Sequence, residues 1–117
     1  MTLPARIKRE PKPEMPERIR SPGHLAWIRK HGCCVPLCNQ RPIQAHHVRK
    51  GTDGAGSLKP GDQNAISLCY LHHSHVHNWG EDTFEARYAI DMKALAREFS
   101  ERSPHRRKFL SPTPARR

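Results

Sequence analysis

The sequence predicts a small α+β domain held together by metal: a helix, a cysteine knuckle, a β-hairpin, a metal-rich helix and a C-terminal helix. Three observations predict it. All four cysteines and seven of the nine histidines fall between His31 and His77, and Cys69–His77 alone holds one thiol and four imidazoles. Two short apolar runs, Ile43–Val48 and Ala65–Leu68, flank a stretch with four glycines, as two strands flank a loop. Hydrophobic residues make up only 35% of the 117, too few for a large core, and a domain so built usually needs metals or disulfides.

Taken in order, Ser21-Pro22 reads as an N-cap followed by proline at the first helical position. That helix runs to about Lys30, with Leu25 and Ile28 inward and Gly32 ending it. Cys33 to Cys38, with Pro36 inside, is long enough only for a tight knuckle. Ile43–Val48 and Ala65–Leu68 are the strands, and residues 49–63 a flexible loop. A helix follows from about Cys69 to Trp79, stopped by Gly80. Asp82-Thr83-Phe84-Glu85 has the pattern of a capping box and opens another helix, broken near Asp91. Phe84, Tyr88, Leu95 and Phe99 fall on roughly one face of it as core packing. There is no internal repeat.

The net charge is +10, from 21 basic and 11 acidic residues. Residues 1–20 carry six basic and three acidic groups, and residues 101–117 six basic and one acidic, so the ends hold +3 and +5 of it. This divides the chain into a Pro-rich basic arm at 1–20, a folded domain at 21–101 and a basic, Pro-containing tail at 102–117. Basic ends on a nearly neutral core suit a polyanion such as DNA or RNA, since each phosphate contact releases counterions. Tails that serve only solubility are the alternative. No run of about 18 apolar residues exists, which excludes a membrane span, and no apolar stretch follows the N-terminal basic residues as in a secretory signal. The expected setting is the cytoplasm, where cysteines serve as metal ligands rather than disulfides.

One zinc needs four ligands, and the chain offers more. Cys33-x4-Cys38 and Cys69-x2-His72 pair distant segments as small zinc modules do. Cys34 competes with Cys33, which is favoured, because adjacent residues seldom bind the same tetrahedral ion. His73 and His77 are i and i+4 on a helix, so both rings leave one face and can chelate an ion. His75 points to the opposite side and reads as a surface residue. His46 and His47 sit on a strand, where neighbours face opposite ways, so one can join His73 and His77 while the other addresses something else. Three histidines on one ion leave positions for water and substrate.

The order Cys-x4-Cys, Ala45-His46-His47-Val48, a Gly-rich loop, Asn64, then Leu68-Cys69-x2-His72-His73-x3-His77-x2-Gly80 resembles the HNH endonucleases in their zinc-stabilised phage and bacterial form. The resemblance covers about residues 30–80, and Phe84–Asp91 also looks like small phage-type members. It implies a ββα-metal, treble-clef-like core with a structural zinc knuckle and flanking helices. It also implies hydrolysis of DNA phosphodiesters, with His47 as general base, Asn64 orienting it, and His46, His73 and His77 holding a divalent ion. Many members have Asp where His46 stands. An all-imidazole set suits Zn²⁺, Ni²⁺, Co²⁺ or Mn²⁺ better than Mg²⁺, and the working ion stays open among them. Cys-x2-His likewise replaces the commoner Cys-x2-Cys.

Backbone affinity is expected from Lys50 and Lys59 in the loop and from Arg106, Arg107 and Lys108 in the tail. The substrate is expected to be DNA, with RNA, branched DNA and a specificity-conferring protein partner left open. The rival reading is a non-catalytic zinc module that binds nucleic acid or protein. It requires Cys33, Cys38, Cys69 and His72 but gives no reason for His46, His47, Asn64, His73 and His77. A metal-storage or sensing peptide is a third reading, disfavoured by the ordered apolar helices.

Overall fold

The computed structural model describes residues 18–52 and 59–109. The expected N-terminal arm up to residue 17, the tip of the glycine-rich loop and the tail from residue 110 lie outside these described residues.

Ser21 opens α1 (Pro22–Ile28), its hydroxyl accepting the His24 N–H at 3.3 Å, with proline at the first position as expected. The helix is shorter than the sequence predicts, and its inward face is His24 and Ile28 rather than Leu25 and Ile28. Leu25 is only half-buried. In the core, His24 Nδ1 meets Ser103 Oγ at 2.8 Å, a polar partner for one of its two ring nitrogens.

The hairpin pairs β1 (Ile43–His47) with β2 (Ala65–Cys69) antiparallel, with Ile43 opposite Cys69 and His47 opposite Ala65. Side chains alternate across it, so Gln44 and His46 share one face while His47 points to the other. The Val48 N–H donates to the Asn64 carbonyl at 2.8 Å and closes the hairpin's open end. Ile66 and Leu68 of β2 join Val48, Val76, Phe84, Met92 and Ala96 in the core.

Cys69 caps α2 (Tyr70–Trp79), its sulfur accepting the His72 N–H at 3.4 Å. Gly80 ends α2 at φ +86°, a conformation that glycine adopts without the Cβ penalty. The chain turns there straight into α3 (Glu81–Tyr88), which therefore starts before the expected capping box. Asp82 is a helical residue paired with Lys50, and the Glu85 carboxylate accepts the Met92 N–H at 2.8 Å. The expected break falls at Ala89–Asp91: Ala89 is left-handed, and Asp91 caps α4 (Met92–Arg102) by accepting the Ala94 N–H. Phe84 is fully buried, and Tyr88, Leu95 and Phe99 pack against the core.

Packed structure extends past both ends of the folded domain expected at 21–101. The Asp62 N–H donates to the Ile19 carbonyl at 2.8 Å, and Arg20 donates to the Pro60 carbonyl at 2.6 Å. After α4, Ser103 is buried, residues Arg106–Lys108 form a 3₁₀ turn, and the Phe109 ring packs edge-on against His24 at 4.6 Å. Among the described residues no helix is long and apolar enough to cross a membrane. The described residues form a small α+β fold with a two-stranded antiparallel sheet and four α-helices.

Candidate metal centres

The knuckle brings Cys33 and Cys38 to the start of α2, where Cys69 and His72 wait one helical turn apart. Ligand atoms of all four lie within 4.8 Å of one another. The sulfurs of Cys38 and Cys69 are 3.8 Å apart, and His72 Nδ1 lies 3.1 Å from the Cys69 sulfur and 3.4 Å from that of Cys33. A tetrahedral zinc with ordinary bond lengths has edges of about 3.8 Å between sulfurs and about 3.5 Å between sulfur and nitrogen. The four side chains are thus positioned to bind a metal ion, and three sulfurs with one imidazole suit a structural zinc.

Cys34 is excluded from this set by the hairpin. Its N–H donates to the Ser67 carbonyl at 2.9 Å and its sulfur lies 3.4 Å from Ser67 Oγ. Burial, with the neighbouring Cys38 and Cys69 sulfurs, pushes the Cys33 thiol up to about 12, so at neutral pH without metal it keeps its proton.

The second group is His46, His73 and His77, whose ligand atoms also lie within 4.8 Å of one another. His73 and His77 face each other Nε2 to Nε2 at 3.1 Å. Two imidazole nitrogens on one tetrahedral zinc stand about 3.3 Å apart. His73 Nδ1–H donates to Gln44 Oε1, which leaves the lone pair on the Nε2 that faces His77. Burial, then the proximity of His46 and His77, lowers the His73 pKa to about 4 and keeps that ring neutral. Neutral imidazole is the ligand form.

Two carboxylates that sequence reasoning missed support the doublet on β1: Glu81 stands behind His46 of this second group, and Asp62 behind its neighbour His47. Glu81, the first residue of α3, has its Oε2 2.9 Å from His46 Nε2. Glu81 is itself fixed by the N–H groups of Arg49 and Lys50, at 2.9 and 2.7 Å. Burial works against its ionisation, but the His46 ring and those two N–H groups outweigh it and hold its pKa low. Asp62 accepts from His47 Nε2–H at 2.8 Å and from the Ser21 N–H at 2.7 Å, with Arg20 at 3.3 Å. Burial again opposes ionisation, and the His47, Ser21 and Arg20 donors again prevail, so Asp62 stays ionised. With its Nε2 proton held there, neutral His47 carries its lone pair on Nδ1. Burial pulls the His47 pKa down, with Asp62 pulling the other way.

His46, His47, His73, His77, Lys50 and Lys59 line one hollow of about 690 Å³. Asn64 holds the hairpin's end beside His47 through its backbone, and it also lines a different hollow with Lys93, Arg97 and Arg106. Arg107 and Lys108 lie in the turn beyond α4, away from both metal groups in sequence and in neither lining. His75, expected at the surface, is half-buried: it stacks on Trp79 at 4.3 Å and bonds the Tyr88 hydroxyl at 3.1 Å.

The fold and its side chains define a small α+β protein with a cluster of cysteines and histidines that could bind a metal ion. The chain belongs to the family described as proteins of unknown function, DUF968, which matches residues 3–104. No curated protein and no solved structure matches it.

Proposed function

We propose that this protein is a metal-dependent endonuclease of the HNH kind, with β1, β2 and α2 as its ββα-metal core. The observation that supports the reading is the pairing of two dissimilar neighbours on β1. His46 faces His73 and His77, while His47 faces a buried carboxylate with its Nδ1 left as a base, and both line one hollow with Lys50 and Lys59.

In this reading His46, His73 and His77 hold a divalent ion. When bound, the ion supplies positive charge beside the scissile phosphate and the leaving 3′ oxygen. His47 Nδ1 takes the proton from the water that attacks phosphorus. Asp62 keeps the ring in the tautomer that makes this possible and stabilises the imidazolium that results. Asn64 orients His47 as the resemblance implies, and its carbonyl anchors the strand end that carries His47. Lys59 receives a neighbouring phosphate, and Lys50 joins it when phosphate displaces Asp82 from its ammonium group. Cys33, Cys38, Cys69 and His72 hold the zinc that keeps the knuckle on α2.

The test is plasmid nicking over a panel of Zn²⁺, Ni²⁺, Co²⁺, Mn²⁺ and Mg²⁺ with wild type and His47→Ala. Metal-dependent nicking lost in His47→Ala supports the reading. Equal nicking by both removes His47 as the base, and no nicking with any ion favours the zinc module that only binds.

A further inference from the structure

The basic residues so far assigned to nucleic acid are separated: Lys50 and Lys59 border the histidine hollow, and Arg106 to Lys108 follow α4. Between them stands a feature that neither the motif nor the tails suggested. Lys93 and Arg97 lie one turn apart on α4 and share a face. Lys50 borders both the histidine hollow and a second one that it shares with Gly51 and Lys93. Lys93 then borders a third, with Arg97, Ser100 and Arg106. The three hollows form a chain through shared side chains, with a cation at every junction.

The pairing of these cations differs from that of their neighbours. Lys50 is matched by Asp82 and Glu85, and Arg102 by Glu98 at 3.0 Å. Lys93, Arg97 and Arg106 make no ion pair among the described residues. The acidic groups along the path are mostly occupied. Glu85 receives Met92 N–H and Lys50, and Asp91 caps α4, which leaves Glu101 as the one carboxylate on the path without a partner among the described residues. A surface helix that leaves two cations unmatched while others close by are matched is suited to an external anion.

Resting on the nuclease reading, we infer that α4 carries a phosphate rail, Lys93–Arg97–Arg106, along which duplex DNA runs from the histidine hollow past Lys50. Lys93 and Arg97 are about 6 Å apart along the helix, a length over which one strand presents about two phosphates. The rail makes backbone binding a property of the folded domain and not of the tails alone.

The test is salt-dependent binding of a short fluorescein-labelled duplex to the full chain, in a His47→Ala background so that the probe survives. Adding Lys93→Gln and Arg97→Gln should weaken binding alike for unrelated sequences. It should also make the slope of log affinity against log salt shallower by roughly 0.9 for each phosphate no longer neutralised, about 1.8 in all. Arg29→Gln with Lys30→Gln removes the same charge from exposed positions that border none of the three hollows, and should change the slope less. Circular dichroism and melting confirm that both pairs of substitutions leave the fold intact. An unchanged slope in the α4 variant, or an equal change in both, overturns the rail. Nicking by a protein whose α4 variant binds normally would reject the rail and leave the nuclease. Rail-dependent binding by a protein that never nicks would do the reverse.

Discussion

His72 and His73 are neighbours on α2, yet they belong to clusters of opposite character. His72 is buried and joins three sulfurs, one from the helix cap and two from the knuckle. His73 is half-buried and joins two imidazoles, with His77 exposed and His46 buried beneath. The first cluster ties together segments far apart in sequence and has a full tetrahedral donor set. The second has three donors, a carboxylate behind one of them, and borders a broad hollow shared with His47. Closed four-donor sites hold folds together and open three-donor sites do chemistry. One helix carries donors of both sets because consecutive side chains leave it about 100° apart.

The largest test of that contrast is Cys38→Ser. Removing a closing ligand should unfold or strongly destabilise the domain, because metal-binding energy in small modules is folding energy, apparent values being about 10–16 kcal/mol. His73→Ala should keep its melting curve while losing a second bound metal, read by metal analysis after mild chelation. A Cys38→Ser protein with wild-type circular dichroism and melting would dissolve the distinction.

Next in size is His47→Ala, which should lower cleavage by about 10²–10⁴-fold, the usual contribution of a general base, with both metals and DNA binding retained. Loss of metal along with activity would make His47 a ligand rather than a base.

Glu81→Gln sharpens the comparison from the other side. Removing a carboxylate that orients a metal-bound histidine typically costs about 10–100-fold in affinity. The loss should appear at the three-histidine site and leave the cysteine site untouched, as read by competition with a chromophoric chelator. An equal loss at both would mean that Glu81 supports the fold as a whole.

The mildest perturbation is pH between 8 and 6. Cys33, pushed up to about 12, must give up a proton to bind metal, so each unit of acidification weakens the cysteine site by about tenfold through Cys33 alone. His73, lowered to about 4, has no proton to lose in this range, and its part in binding stays flat. Chelator titrations at three pH values should therefore give a steeper line for the zinc that survives mild chelation than for the labile ion. Parallel lines would contradict the assignment of donors.

Much of this was legible from spacing because it depends on local geometry. Cys69 and His72 one turn apart, His73 and His77 on one helical face, and His46 and His47 on opposite faces of a strand follow from the periods of helix and strand. The break before α4 was visible in Asp91 for the same reason, since a side-chain cap reaches only three residues ahead. The capping box at Asp82 misled because Gly80, at positive φ, starts α3 without a side-chain cap.

What the sequence by itself determined was therefore the donor chemistry, the pairing of donors within each segment and the hairpin-then-helix order that joins them. Only the tertiary structure decided which distant groups meet. It set Cys33 rather than Cys34 on the metal side of the knuckle, because Cys34 is taken by Ser67 across the hairpin. It brought Glu81 to His46 across 35 residues and Asp62 to His47 across 15, and it aligned α4 with the histidine hollow through Lys50 and Lys93. Those contacts have no period to read. They depend on how loops return over the sheet, and that is set by the packing of Val48, Ile66, Leu68, Phe84 and Met92 in one shared core.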